Sequence, residues 1–368
     1  MTEQYYMPVK TISGRDCLKN SSDALKKYGD KALIICGYRS ADINGAIGDA
    51  TYALDSAKIE YEIYRGIDPN PTVEQVRAVS DIAINKRCDF ILAIGGGSVI
   101  DAAKAVAILS TNSLTDDELF TLKDFDSVLP VIAVPTTAGT GSEVTQYSII
   151  TNVKKETKSF VVSDKIFPRI AYLDGKYMEN LPHDTTVNTT IDALSHAIEG
   201  YLAVRSTSLG RVLALNSIRL IAPILKKMNQ EETLTIQDRD ELLYASMLAG
   251  IVISQSGTTA VHAVGYSLTY FKHVDHGRAN GLLMPSYLEF LNIVRKDDIS
   301  IILDALGMTT ITEFRTLCFS LLETEKLTEE EIIKFSEIAI NAGNIHNTEP
   351  KPTIDVLRIM LNDASGLN

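Results

Sequence analysis

The sequence contains no tryptophan, and only four of its 368 residues are cysteines. Cys17, Cys36, Cys88 and Cys318 stand far apart, with no Cys-x-x-Cys pair. That spacing argues against a disulfide framework and points to free thiols in a reducing cytosol. The chain also lacks an excess of positive charge: 35 Lys and Arg stand against 47 Asp and Glu, a formal net charge of −12. Neither nucleic acid nor an anionic membrane surface is therefore an expected partner, since both are gripped by clustered basic side chains. No stretch approaches the roughly 20 uninterrupted apolar residues of a membrane span. The opening "MTEQYYMPVK" has no apolar segment after a basic one, so it does not read as a signal peptide, and a cytoplasmic location is the expectation. Histidine is scarce too, six in all, yet three of the six fall within "HAVGYSLTYFKHVDHG" (262–277). A lone histidine is usually a surface group or a satisfied core group; a cluster asks for partners elsewhere in the chain.

A chain of this length normally carries two domains, and its two halves read differently. Up to residue 181 short apolar runs alternate with amphipathic helical patterns. "KALIICG" (31–37), "EYEIY" (60–64), "FILAIGGG" (90–97) and "PVIAVPTTAGTG" (130–141) read as strands. "SSDALKKYG", "DINGAIGDATYALDSAK" and "TVEQVRAVSDIAINK" between them have helical spacing. This alternation predicts a parallel sheet covered on both faces. "YSIITN" and "KSFVVS", flanking the charged "VKKET", read as a hairpin. After Pro182 the strand signals stop and the patterns are helical throughout. The expected architecture is an α/β domain over 1–181 and an all-α domain over 182–368, divided near "YMENLPHDTT".

Two glycine-rich loops end predicted strands of the first domain. "GGGSVIDAAKA" (95–105) opens a helix, where free N–H groups face an anion and glycine lets a phosphate approach. One glycine would make a plain turn; three, followed by Ser98, Asp101 and Lys104, point to phosphate. The G-x-G-x-x-G fingerprint is absent. "PTTAGTGSEVT" (135–145) is rich in hydroxyls, and two such loops on one sheet suit an extended nucleotide. In the second domain Asp192 and His196 lie four apart, on one face of a predicted helix that is otherwise apolar. An Asp–His ion pair would satisfy that burial. With His262 and "HVDHG" added, one carboxylate and several imidazoles suit a divalent metal such as Fe²⁺ or Zn²⁺.

"GGGSVIDAAKA", "PTTAGTGSEVT", "DALSHAIEGY" and "VHAVGYSLT…DHGRANGLLMP" together resemble the iron-containing (group III) alcohol dehydrogenases, in order and across essentially the whole chain. The resemblance implies a Rossmann-like N-terminal domain, a helical C-terminal domain of the dehydroquinate synthase type, and a metal in the cleft between them. It implies Asp192, His196, His262 and His276 as metal ligands, and gives His273 no role. It implies that Gly96, Gly97 and Ser98 take the pyrophosphate position, with Asp101 on the same helix among the cofactor-binding residues. Thr136, Thr137 and Thr140 would line the cofactor's path, Lys158 would approach its ribose, and Asn70 would border it. Members are often homodimers; nothing else in the sequence requires one.

The chain departs from the family pattern twice. Many members carry a histidine, proposed as a proton relay, where this chain has Tyr266; a phenol with an ordinary pKa of about 10 is a poorer shuttle at neutral pH. NAD-preferring members end the second strand with an acidic residue that holds the ribose 2′-hydroxyl. Here Gly37 stands in that place with Arg39 two residues on, so NADP(H) is expected to be preferred over NAD(H). The resulting expectation is an iron-dependent alcohol dehydrogenase or aldehyde reductase, moving hydride between a nicotinamide cofactor and a short-chain alcohol or aldehyde. Alternatives are another enzyme of the same fold, such as glycerol dehydrogenase, dehydroquinate synthase or maleylacetate reductase, and a non-catalytic nucleotide- and metal-binding protein.

Overall fold

A computed structural model describes residues 3–153 and 157–366. The chain divides into two compact units, one of Met7–Leu181 and one of Pro182 onward together with the first six residues. The N-terminal segment joins the helical unit because polar groups there hold it. Tyr6 and Gln255 exchange hydrogen bonds, the Tyr6 N–H donating to Gln255 Oε1 (2.9 Å) and Gln255 Nε2 to the Tyr6 carbonyl (2.8 Å). Ser208 donates its N–H and hydroxyl to the Glu3 carboxylate. The expected boundary after residue 181 therefore needs this exchange of six residues.

The first unit holds strands β1 (Lys10–Ser13), β2 (Lys31–Cys36), β3 (Glu60–Arg65), β4 (Phe90–Gly95), β5 (Val131–Pro135) and β8 (Ile170–Leu173) in one sheet. The sheet order is β1-β8-β5-β4-β2-β3, and every pairing is parallel. β6 (Tyr147–Asn152) and β7 (Thr157–Val162) form a separate antiparallel hairpin; the centre of the expected "VKKET" turn lies outside the described residues. Apart from Lys31 at the start of β2, the central strands are apolar at every position because both faces are covered. Leu33, Ile35, Ile91, Ala93, Val131 and Ala133 pack toward the helices Val73–Lys86 and Gly97–Leu109. Their neighbours Ile34, Leu92, Ile94, Ile132 and Val134 pack toward the helix Ala46–Ser56 on the other face.

Three details differ from the sequence pattern. β1 and β8 carry little strand signal, being four residues each. "DINGAIGDATYALDSAK" is broken at Gly45, whose φ of 83° ends a short first helix and starts a second. "SSDALKKYG" gives one α-helical turn, Ser22–Leu25, then a 3₁₀ turn that stops at Gly29.

The second unit is helical, with no strand among its described residues. His183–Leu202 is its hub and packs against Ser208–Asn229, Ile236–Ser256 and His276–Asn292. Ser208–Asn229 is long and apolar enough to cross a bilayer by length and composition alone. Here it is a core helix that buries Ala214, Ser217, Ile218, Ile221 and Leu225. Lys296–Ala305 and Ile311–Leu321 are helices that the sequence pattern did not single out.

Candidate metal centre and nucleotide loops

In the helical unit, Asp192 and His196 sit one turn apart on His183–Leu202, both buried. His262 comes from the first turn of Ala260–Phe271, and His276 from the first residue of His276–Asn292. One ligand atom each of Asp192, His196 and His262 can be chosen so that all lie within 4.8 Å of one another. His262 Nε2 is 3.0 Å from His196 Nε2, and the two rings stack with centroids 4.8 Å apart. Asp192 Oδ1 is 4.0 Å from His196 Nε2 and 3.9 Å from the Nε2 of the partly exposed His276. Tyr266 lies parallel to the His276 ring, at 5.5 Å and 8°. His273 is exposed, with a left-handed φ of 56°.

Two residues that the sequence reading did not name complete this centre. Glu199, one turn after His196 and fully buried, receives His262 Nδ1 on its Oε2. Burial opposes its charge, but the facing His262 and the bonds from Thr259 hold the carboxyl below the usual range. Asn280 turns its Nδ2 to Asp192 Oδ1 (3.1 Å), His262 Nε2 (3.2 Å) and His276 Nε2 (3.4 Å). One amide nitrogen thus faces a carboxylate and two imidazoles that converge on the same place. A cation fits that donor set: one carboxylate, several imidazoles, and one ring fixed from behind by a carboxylate.

In the α/β unit, the helix Gly97–Leu109 follows β4 with no side chain capping its start. The two loops pack on each other. A Cβ on Gly96 would lie 2.9 Å from Thr137 Oγ1, and one on Gly97 would lie 2.5 Å from Thr140 Cγ2. These glycines are therefore demanded by the chain's own packing, independently of any phosphate. The Asn70 N–H donates to Ser98 Oγ (3.3 Å), which brings a third loop to this point. Thr136 is buried, and its N–H donates to the Gly95 carbonyl. Lys158 stands on β7, and its charge reaches Asp101. Gly37 follows β2 with space around it, the nearest atom to a Cβ being Ser40 Oγ at 3.7 Å. Arg39 is exposed.

Asp101 and Lys104 face inward. The Lys104 ammonium donates to the carbonyls of Ser142 and Tyr147 (2.7 Å each), to Ser142 Oγ (2.8 Å) and to Thr145 Oγ1 (3.2 Å). Ser142 Oγ donates to Asp101. Lys104 is thus an anchor for the threonine loop, and an outward reading of it as a phosphate contact is corrected. Burial lowers its pKa to about 8, against the pull of Asp101 and Glu143. Glu143 is buried beside this pair with Oε1 unpartnered, and burial lifts its pKa to about 7.

A carboxyl whose folded pKa is raised holds its proton longer in the folded state, so stability falls as pH rises from the unfolded value through about 7. Glu143→Gln removes that loss. Its melting temperature relative to wild type is expected to rise between pH 5 and pH 8 in thermal melts; a constant difference would contradict the assignment.

Two family models match the chain. Residues 8–175 match the iron-containing alcohol dehydrogenase family, and residues 186–356 match the C-terminal domain of the same family. The NAD-dependent methanol dehydrogenase of Bacillus methanolicus is 30% identical over 82% of this chain and 80% of its own length. The NADPH-dependent butanol dehydrogenase of Clostridium saccharobutylicum is 32% identical over 74% of this chain and 71% of its own. An iron-containing alcohol dehydrogenase structure from Thermotoga maritima covers 99% of this chain and 100% of its own at 33% identity, with a TM-score of 0.92. These matches place the chain in an oxidoreductase class. The chain belongs to the iron-containing alcohol dehydrogenase family.

Proposed function

We propose that this protein reduces short-chain aldehydes to alcohols, or runs the reverse oxidation, with NADP(H) preferred and Fe²⁺ as the native metal. Asp192, His196, His262 and His276 are its ligands. The observation that carries the reading is the buried Asp192–His196–His262 cluster, whose ligand atoms lie within 4.8 Å of one another. A divalent metal held there supplies Lewis acidity to a carbonyl or hydroxyl oxygen, and the nicotinamide supplies or accepts the hydride.

The chain's own residues do the rest. Asp192 offsets one unit of the metal's charge and leaves the centre electrophilic. Gly96, Gly97 and Ser98 present the uncapped helix start to the pyrophosphate. Thr136, Thr137 and Thr140 line the cofactor's path, Asn70 and Lys158 border it, and Asp101 braces the threonine loop through Ser142. The Tyr266 hydroxyl is the proton donor to the product oxygen, its ring aligned by stacking on His276. The four cysteines are free and buried, which suits a reducing cytosol, and assembly as a homodimer follows the family.

The test is oxidation of NADPH and NADH by purified protein against a panel of short aldehydes, with and without added Fe²⁺. Metal-dependent turnover is expected; no turnover with any aldehyde would favour a non-catalytic binding protein. The same assay reads cofactor choice. The space at Gly37 admits a 2′-phosphate, and the exposed Arg39 can donate to it. An exposed charge pair contributes roughly 0.2–1 kcal/mol and a partly buried one more, so the NADPH/NADH ratio of kcat/KM is expected to be up to about tenfold. Gly37→Asp should invert the ratio and Arg39→Ala should lower it. A wild-type preference for NADH would refute the assignment.

A further inference from the structure

The ring of His262 is useful to a metal only if its Nε2 is unprotonated and its position is fixed. Both conditions trace to one side chain. Glu199 lies on the helix that supplies Asp192 and His196, with its carboxylate bonded to the start of the helix Ala260–Phe271. Its Oε1 accepts from the Thr259 N–H (2.8 Å), the Thr259 hydroxyl (2.6 Å) and, more weakly, the His262 N–H (3.4 Å). Thr259 is the capping residue of that helix, and its own side chain caps nothing. Glu199 therefore takes over the orphan donors of the helix start from outside. Its Oε2 meets Nδ1 of His262, two residues into the same helix. The ring's other nitrogen then faces His196 Nε2 and Asn280 Nδ2.

We propose that Glu199 is a positioning residue that holds His262 twice, by the backbone through one carboxylate oxygen and by the ring through the other. A proton kept on Nδ1 leaves Nε2 as the metal-facing lone pair. The ionised carboxylate is required because both oxygens must accept. A carboxamide has one accepting side. In Glu199→Gln, either the NH₂ group opposes the Thr259 N–H, or it donates to Nδ1 and forces the proton onto Nε2, where it blocks the metal. The inference rests on the reading of Asp192, His196 and His262 as a metal site.

The test is Co²⁺ binding to chelator-stripped protein, followed by the cobalt d–d absorption, in wild type, Glu199→Gln, His262→Ala and the double variant. Glu199→Gln is expected to bind Co²⁺ about 10- to 100-fold more weakly than wild type. If it acts through His262, it should cost no more than about twofold further in the His262→Ala background, because the effects of coupled residues do not add. Binding by Glu199→Gln within about twofold of wild type, or the same loss in both backgrounds, overturns the inference while leaving the metal site standing. Wild type that binds no Co²⁺, or His262→Ala that binds it as tightly as wild type, overturns the metal reading itself. Should Glu199→Gln fail to fold, ¹⁵N-histidine NMR of the zinc-loaded wild type decides. A His262 proton on Nδ1 is expected, and metal on Nδ1 would contradict the proposal.

Discussion

His262→Ala is expected to lose its metal and, with it, turnover, while NADP(H) affinity stays within a few-fold of wild type. His262 is buried at the centre of the cluster, within hydrogen-bond distance of His196 and Asn280 and backed by Glu199. Removing one ligand of such a set should cost about 4 kcal/mol of metal affinity, near a thousandfold. The loops proposed to bind the nucleotide belong to the other compact unit, so the substitution leaves their residues untouched. Metal analysis after gel filtration and cofactor fluorescence titration separate the two effects. The control is His273→Ala: that ring is exposed, and its loss should leave metal content near normal. Full metal content in His262→Ala would remove the site.

Gly277→Ala should be nearly as damaging, although Gly277 is not itself one of the proposed ligands. A Cβ at Gly277 would lie 1.7 Å from the Asn188 carbonyl oxygen and 3.0 Å from Asp192 Cβ. The obstacle is the backbone of the helix that carries two of the proposed ligands, which no rotamer change can clear. The first turn of His276–Asn292 would have to move away, taking His276 with it. Overpacking of this kind costs about 3 kcal/mol or more, which is roughly 6–12 °C in melting temperature for a unit of this size. Metal affinity should fall in parallel because Asp192 and His276 separate. A melting temperature and metal content equal to wild type would show that the two helices do not approach so closely.

What could be read from the sequence follows the physics of each element. β2, β4 and β5 announce themselves because strands buried on both faces must be apolar throughout. β1 does not: "KTIS" is a mostly exposed edge strand paired on one side only, and β8 is too short to show a period. Asp192 and His196 are legible because a turn of helix brings together residues four positions apart. Glu199 carries the same signal, three residues after a ligand, but a lone glutamate on a helix normally faces water. Its partners Thr259 and His262 are some sixty residues away. Asn280, four residues after His276 at a helix start, could have been found by that spacing. Lys104 was visible as the one cation in "AAKAVAIL", but sequence alone could not show that its charge turns inward to the carbonyls of the neighbouring loop.

The central claim is that this chain moves hydride between a nicotinamide and a carbonyl carbon. It is tested most directly by following the hydrogen itself. Fe²⁺-loaded wild type would be incubated with a panel of short aldehydes and NADPH or NADH dideuterated at C4 of the dihydronicotinamide, and the products read by mass spectrometry. The expected result is an alcohol carrying one deuterium on its carbinol carbon, formed in step with cofactor oxidation and abolished by His262→Ala. Alcohol without deuterium, or cofactor oxidation with no alcohol from any aldehyde, would contradict it.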